Sequence, residues 1–220
     1  MRWVKDHKIE ARFKSLYVNL EVQKYPIEDI DLEESLNRQV RLDKKLKDDI
    51  VLQYAIAMEQ PDAAFPMVIV NKLKNFSFLW SGLHRIHAAK MVGIKEIDAY
   101  VCSISDPRTQ DIIPRIVNTM ESSIGQTREE SLVHAQHVIE NWGVEPKEAA
   151  RLLGLRYEWI VLHMRLAKMN TTIANLGINT NGFSKQILTK LSPIDNTTVL
   201  KETAKFLKTN KVVGDEAYRF

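Results

Sequence analysis

Hydrophobic and polar positions follow two different periods along the chain, and the change of period falls near residue 105. In the first half, short apolar runs with partial alternation predict β-strands over 15–23 and in the segments PMVIVNK, FSFLWS and IDAYVCS. Apolar positions at helical spacing predict one helix in DKKLKDDIVLQYAIAMEQ and another over about 83–92. The segment 25–42 lacks a sustained period, and we predict that it is an extended loop. These elements together predict a compact α/β domain.

After Asp106 the strand pattern ends, and helical periodicity continues to about residue 210. Successive amphipathic segments are separated by Gly, Pro, Asn or Thr, which are residues that typically end helices. We therefore predict a second, all-α domain, with the two domains covering 1–105 and 106–220.

The composition is that of an ordinary globular protein, with 45% hydrophobic and 27% charged residues. The formal net charge is only +3, so any nucleic-acid interface must arise from local clustering of charge. The single cysteine, Cys102, excludes an internal disulfide and a thiolate zinc site, and it fits a reducing compartment. The sequence shows neither a signal peptide nor an apolar segment of membrane-spanning length. We therefore expect a cytoplasmic protein without a membrane partner.

A strand-to-helix transition in LWSGLHRIHAAK brings together Ser81, Gly82, His84 and Arg85. The start of a helix exposes unpaired backbone N–H groups and the positive end of the helix dipole, which together bind anions. Glycine allows a ligand to approach the backbone closely, and the arginine fork fits a phosphate. The turn is therefore a candidate phosphate site. The alternative is a tight structural turn with a capping serine and solvated basic side chains.

Residues 144–166 carry the pattern of a helix-turn-helix. Two helical stretches flank Gly154, with Ala150 four residues before the glycine and Ile160 six residues after it. A tight helical hairpin needs a small residue where its helices touch, a glycine in the turn and a branched residue that holds the second helix. This spacing favours a DNA-binding motif over an ordinary helical hairpin.

The second helix of this motif presents polar and basic side chains that could face a DNA groove. Arg156 and Arg165 suit phosphates or guanine edges. Leu162 is unusual in a base-reading helix, because an apolar side chain contacts little besides thymine methyl groups. We therefore predict contact with the DNA backbone ahead of specific base reading. The candidate DNA-binding residues are Arg156, Tyr157, Glu158, Leu162, Arg165 and Lys168.

Both motifs, in this order, resemble the ParB family of chromosome and plasmid partition proteins, whose N-terminal domain shares its fold with sulfiredoxin. The resemblance covers about residues 15–210. It is carried by NRQVR at 37–41, by PMVIV followed by SGLHRIHAAKMVGIKEIDAYV, and by KEAARLLGLRYEWIVLHMRLAKM. The fold that it implies is an α/β ParB/sulfiredoxin-like N-terminal domain plus an all-α helix-turn-helix domain.

The resemblance also implies a pocket for CTP and Mg²⁺, built on the turn and on an asparagine-bearing helix. The nucleotide-binding residues that it implies are Arg38, Arg41, Ser81, Gly82, His84, Arg85 and Asn118. Two carboxylates that the family pattern implies are missing, since Leu83 replaces a glutamate and Val117 replaces an acid. Magnesium prefers oxygen ligands, so these changes predict that CTP hydrolysis is lost or altered, and they leave the chain without an assigned catalytic residue. His134 and His137 lie three residues apart without an evident third ligand, and we predict that they are surface histidines rather than a metal site.

The implied function is binding of double-stranded DNA in the partition or regulation of a plasmid, phage or chromosome, with a nucleotide controlling the DNA-binding form. The family commonly ends in a separate dimerisation domain, whereas this sequence stops at EAYRF. We therefore expect a largely monomeric free protein, with a homodimer mainly when nucleotide or DNA is present. Two alternatives stay open, namely an enzyme of the same fold, such as a nuclease or small-molecule kinase, and an adaptor whose second helix binds protein. A salt-dependent affinity for DNA would separate the first function from both alternatives.

Overall fold

The computed structural model describes residues 1–38, 45–120 and 127–210, with the side chains of 118–120 and 128 excepted. The strands within these ranges are β1 (Arg2–Val4), β2 (Glu21–Pro26), β3 (Ala64–Pro66), β4 (Val68–Lys72), β5 (Ser77–Ser81) and β6 (Glu96–Cys102). The first helices are α1 (His7–Ser15), α2 (Leu32–Asn37), α3 (Asp48–Met58), α4 (Leu83–Met91) and α5 (Pro107–Met120). The later helices are α6 (Arg128–Trp142), α7 (Pro146–Leu153), α8 (Tyr157–Asn175), α9 (Lys185–Leu191) and α10 (Thr197–Thr209). The chain divides into two compact units, Met1–His134 and Ala135–Phe220.

A four-stranded sheet in the order β2-β6-β4-β5 forms the centre of the first unit. Strand β6 pairs antiparallel with β2 and parallel with β4, and β4 and β5 form an antiparallel hairpin. Strands β1 and β3 form a separate parallel pair. The strands predicted in PMVIVNK, FSFLWS and IDAYVCS are thus confirmed as β4, β5 and β6.

Helices cover both faces of this sheet, because successive side chains of a strand point to opposite sides. One core combines Val68, Val70, Leu79 and Ile97 of the sheet with Val51, Ala55, Leu83 and Ile86 of α3 and α4. The other core combines Ile69, Phe78, Trp80 and Tyr100 of the sheet with Ile9, Phe13, Ile113 and Val117 of α1 and α5. The first unit is therefore a three-layer α/β arrangement, which agrees with the predicted class.

Helix α5 belongs to the first unit, so the predicted boundary at 105/106 needs correction. Ile113 and Val117 of α5 are buried beside Phe13 in the core of the first unit. The compact units divide between His134 and Ala135, inside α6. The change of period after Asp106 marks the last strand of the sheet, whereas the next helix still packs on that sheet.

Two predictions for the N-terminal segments are wrong. The segment 25–42 contains α2 instead of only a loop, and the carboxylate of Asp31 caps this helix by accepting from Glu34 N at 2.8 Å. The strand predicted over 15–23 begins only at Glu21, because α1 extends to Ser15. Tyr17 follows α1 in the left-handed region, with φ of 57°.

Helix α2 also covers the edge strand β5. The hydroxyl of Ser35, which is fully buried, accepts from Leu79 N at 2.9 Å. Asp31 N donates to Ser77 O at 2.8 Å, and Ile30 forms an isolated parallel bridge with Ser77. The segment before and within α2 thus satisfies backbone groups that an edge strand otherwise leaves exposed.

The described part of the second unit is all helical, as predicted. Helices α8, α9 and α10 pack around an apolar cluster formed by Leu166, Ile173, Leu188, Leu191, Leu200 and Ala204. Helix α7 contacts α8, and its residues Ala149, Ala150 and Leu153 are buried. None of the helices in the described ranges has the length and apolar character that a membrane span requires.

Cys102 lies at the end of β6 in the core that includes α1 and α5. Only 5% of the residue is exposed, and its Sγ lies 3.5 Å from the carbonyl oxygen of Val70. Burial raises the pKa of the Cys102 thiol to about 12. The cysteine is therefore a core side chain in its thiol form.

We expect Cys102 to resist thiol reagents while the protein is folded, because the thiolate is the nucleophile and burial disfavours it. Ellman's reagent at pH 8 should react slowly with the native protein and should release about one equivalent per chain once guanidinium unfolds it. The matched control is Ser105→Cys in a Cys102→Ala background, which places the thiol on an exposed position and should react at once. Immediate reaction of the native parent protein would contradict the buried position.

Candidate functional site

Gly82 shapes the strand-to-helix turn between β5 and α4. Its φ is +99°, which lies in the left-handed region that favours glycine. A Cβ at this position would overlap Val68 Cγ1 and would lie 2.8 Å from Val68 Cβ. The close backbone approach that the sequence suggested for a ligand is therefore made by strand β4 of the protein itself.

Arg85 lies behind this turn with only 5% of its surface exposed. Its Nη1 donates to the carbonyl oxygens of Pro66 and Met67, the second at 3.4 Å, and its Nη2 donates to Ser81 Oγ at 3.1 Å. The guanidinium thus ties the first turn of α4 to the chain between β3 and β4. These contacts favour a structural role for Arg85 over a phosphate contact. The alternative of a structural turn expected a solvated arginine, whereas the Arg85 side chain is buried.

His84 contacts the start of a neighbouring helix. Lys47 N donates to His84 Nε2 at 3.1 Å. Lys47 is the N-cap residue of α3 and supplies no side-chain cap of its own. The imidazole therefore satisfies the backbone N–H of the N-cap residue, as the N3 side chain of a capping box does, and its Nε2 carries no proton in this contact.

Arg38, which the resemblance also placed in the nucleotide pocket, has several protein partners. Its Nε donates to Glu34 Oε1 at 2.6 Å and its Nη1 donates to Gln110 Oε1 at 2.9 Å. Its guanidinium carbon lies 4.2 Å from the centroid of the Phe78 ring, which is a cation–π distance. Arg41 lies outside the described residues, and so does the side chain of Asn118.

The side chains of this turn fit a nucleotide with magnesium poorly. Leu83, where the family has a glutamate, is 4% exposed and belongs to the core beneath α3 and α4. Val117 is fully buried in the opposite core. No group of three or more His, Cys, Asp or Glu residues in the described ranges could hold a metal ion. The first-turn backbone N–H groups of α4 are the part of the turn that suits an anion.

A second predicted site begins at the turn between α7 and α8. Gly154 is the C-cap residue of α7 with φ of 66°, and Leu155 N donates to Ala150 O at 2.9 Å. This is a left-handed cap, in which the helix ends at a glycine. Ala150 and Ile160 are 4% and 0% exposed, so the small and branched residues flanking the glycine are buried as the spacing predicted.

The predicted DNA-binding residues of this second site are all exposed. They are Arg156, Tyr157, Glu158, Leu162, Arg165 and Lys168. Glu158, Leu162 and Arg165 follow the i, i+4, i+7 spacing of one helix face. Arg156, Arg165 and Lys168 form no ion pair with any residue that the structure describes. The N-cap position and the surface of α8 therefore present three cations that form no ion pair with a described acid.

A further cation beside α8 was not found from the sequence. Lys185 of α9 places its Nζ 3.3 Å from His163 Nε2, and the His163 ring lies against Trp159 in a tilted arrangement with a centroid distance of 4.4 Å. His163 Nδ1 donates to Trp159 O at 2.8 Å, which orients the ring. The packing of α9 on α8 creates this neighbourhood, and no local motif in the sequence signals it.

The prediction that His134 is a surface histidine is wrong. His134 is 1% exposed, and its Nδ1 lies 3.0 Å from Arg115 Nη1. Arg115 Nη2 donates to Asp111 Oδ1 at 3.0 Å, so a polar cluster is buried between α5 and α6. His137 lies next along α6, where its Nδ1 is 2.9 Å from Asn141 Nδ2. The helical period placed these histidines on neighbouring positions but could not show that α5 covers one of them.

We expect Arg85→Ala to lower the free energy of unfolding by about 2–4 kcal/mol, because it leaves buried carbonyl and hydroxyl groups without a donor. Arg85→Lys should recover only part of this loss, since one ammonium cannot reproduce the planar fork. Urea unfolding measures this change, and calorimetric titration of the same variants with CTP measures nucleotide binding. The control is Arg108→Ala, an exposed arginine of α5, which should change stability by less than about 0.5 kcal/mol. Lost CTP binding at unchanged stability would contradict the structural role.

Comparison with known proteins finds similarity in structure but not in sequence. No family model matches the chain, and no curated protein matches it significantly. The structure is similar to that of a C-terminally truncated chromosome-partitioning protein ParB from Caulobacter crescentus complexed to the centromeric parS site. The TM-score is 0.57 at 14% identity, and the match covers 89% of this chain and 96% of that chain.

The same Caulobacter protein complexed with CTP-gamma-S gives a TM-score of 0.39 at 13% identity, covering 84% of this chain and 98% of that chain. The fold assignment rests on the parS complex, whose match covers most of both chains. The chain therefore has a ParB-like fold.

Proposed function

We propose that the chain is a ParB-like DNA-binding protein that acts in the partition or regulation of a plasmid, phage or chromosome. In this proposal α7 and α8 are a helix-turn-helix, and α8 is the helix that meets double-stranded DNA. The observation that carries the proposal is the exposed surface of α8, with Arg156, Arg165 and Lys168 outside any ion pair with a described residue. The similarity in fold to a ParB protein complexed to parS supports it.

The turn at Gly154 gives α8 the rigidity that a DNA-contacting helix needs. Helix α7 ends in a left-handed cap, and Leu155 N donates back to Ala150 O. Ile160, on the first turn of α8, is fully buried, so the helix start is fixed against the unit. Arg156 and Tyr157 stand at this fixed end, which is the end that reads the major groove in helix-turn-helix proteins.

Contact with the phosphate backbone contributes more than base reading in this interface. Arg156, Arg165 and Lys168 are cations with long side chains, which suit phosphates. Tyr157 and Leu162 are 45% and 39% exposed and offer mainly apolar surface to a groove. Glu158 is the acid on this face, and a carboxylate can accept from a cytosine amino group. We therefore infer a large salt-dependent component of affinity with modest sequence preference.

Nucleotide control, as the resemblance implies, stays a prediction, and so does a nucleotide- or DNA-dependent homodimer. The contacts at the turn do not support nucleotide control, because Arg85 donates to backbone carbonyls of the protein and His84 accepts from a backbone N–H. The same contacts weaken the enzyme alternative, which needs these side chains to reach a substrate. The apolar exposure of Tyr157 and Leu162 is what the adaptor alternative would use, and DNA titration separates it from the proposed function.

We expect Arg156→Ala together with Arg165→Ala to weaken binding to a mixed-sequence duplex and to reduce the slope of log K against log salt by about 2, because each lost phosphate contact removes about 0.9. Fluorescence anisotropy of a labelled duplex across a series of salt concentrations measures both quantities. The two side chains are exposed, so circular dichroism and the melting temperature should stay those of the parent protein.

The matched control removes two other exposed cations of the same unit, by Arg151→Ala together with Lys205→Ala. Arg151 pairs with Glu148 at 2.6 Å and Lys205 pairs with Glu202 at 3.2 Å. The control therefore removes the same net charge as the α8 variant, but it removes cations that already have an acidic partner. The control should keep the salt slope of the parent. Equal slopes for the α8 variant and the control would show that α8 is not the DNA interface.

A further inference from the structure

Three lysines of the first unit surround an open groove of about 540 Å³ that none of the motifs described above uses. The groove lies between β2 and the β4–β5 hairpin, and we call it the hairpin groove. Lys24 comes from β2, Lys72 ends β4, and Lys74 lies in the hairpin loop. Gln23 and Asn75 add amide groups, and Asp29 is the acid among its lining residues. The groove therefore combines three positive charges with one negative charge.

The three lysines form no ion pair in the described part of the chain, although Lys24 lies opposite Asp98 in the pairing of β2 with β6. All three side chains are exposed. Like charges gathered around one groove repel each other and destabilise the compact state in the absence of an anion. An anionic ligand in the groove would convert this repulsion into binding free energy.

The floor of the groove is rigid. The Tyr25 and Ser77 hydroxyls share a buried hydrogen bond of 2.5 Å, and Asp31 N donates to Ser77 O at 2.8 Å. Leu73 N donates to Phe76 O at 2.9 Å, which closes the hairpin loop. The backbone positions that carry the lysines are therefore fixed before a ligand arrives, and less entropy is lost on binding.

An aromatic wall completes the groove. Phe76 is 39% exposed, and its ring stacks on Phe78 with a centroid distance of 5.8 Å and an interplanar angle of 28°. An apolar ring next to lysines can pack against the deoxyribose of a DNA backbone while the phosphates meet the cations. An open groove also suits an extended polymer better than a small enclosed ligand.

We propose that the hairpin groove is a second binding site for the phosphate backbone of DNA, carried by the first unit and separate from α8. The inference rests on the proposed function in taking DNA as the ligand. The groove and α8 are separate contact surfaces, so either proposal can fail while the other holds. The lysines act as point charges on phosphates, and the site adds affinity without sequence preference.

The test compares full-length variants in salt-dependent anisotropy titrations with a mixed-sequence duplex. Lys24→Gln, Lys72→Gln and Lys74→Gln combined should reduce the salt slope by about 2–3, since each phosphate contact contributes about 0.9. The control removes the same charge from three exposed lysines at or near α1, through Lys5→Gln, Lys8→Gln and Lys14→Gln. Lysine-to-arginine substitutions at the three groove positions should keep the slope of the parent protein, which shows that charge carries the effect.

The outcomes of the two proposals are distinguishable. If the groove variant has the same duplex affinity and salt slope as the α1 control, the groove is not a DNA site. This holds even if the variant of Arg156 and Arg165 loses binding, as the proposed function requires. An α8 variant with parental binding, beside a groove variant with a reduced slope, overturns the proposed role of α8 and supports the groove. The groove variant can also be titrated with polyglutamate. If it binds polyglutamate more weakly than the parent protein but keeps the parental salt slope for duplex DNA, the ligand is an acidic polypeptide and the inference is overturned.

Discussion

The close approach of the Gly82 backbone to Val68 is the constraint on which the first unit depends. Strand β4 passes the start of α4 so closely that no side chain fits between them, and φ of +99° at Gly82 turns the chain into the helix. Arg85 then reaches back and donates to the carbonyls of Pro66 and Met67 just before β4. A glycine, a serine and an arginine at a helix start have the chemistry of a phosphate cradle, yet here they hold a strand, a turn and a helix together.

Much of the fold follows from local patterns in the sequence. Strands β4, β5 and β6 are short apolar runs bounded by polar residues, and the turn at Gly154 follows from a glycine with a small residue on one side and a branched residue on the other. The period of α8 also places Leu162 and Arg165 on the side away from the buried Ile160. Even α2 had a local signal, since Asp31 followed by Glu34 is the pattern of a capped helix start.

The parts that could not be predicted depend on partners far away in the chain. Arg85 was expected to face a ligand, and its burial depends on carbonyls nearly twenty residues earlier that only the folded hairpin brings near. His134 looked like a surface residue of α6, and it is buried because Arg115 of α5 lies against it. The unit boundary was missed for the same reason, since the strand pattern ends at residue 102 while Ile113 and Val117 still complete the core. Local periodicity shows what an element is, but it does not show which other elements cover it.

The cover that α2 places on β5 also has a consequence for crowding. Where copies of a protein meet at high local concentration, an open sheet edge favours strand-to-strand pairing. Ser35 already occupies the Leu79 amide, and Asp31 occupies the Ser77 carbonyl. At the opposite edge, β2 presents exposed Glu21 and Lys24 and ends in Pro26, which cannot donate to a further strand. Each edge of the sheet is thus protected by its own means, which disfavours strand-to-strand pairing between neighbouring copies.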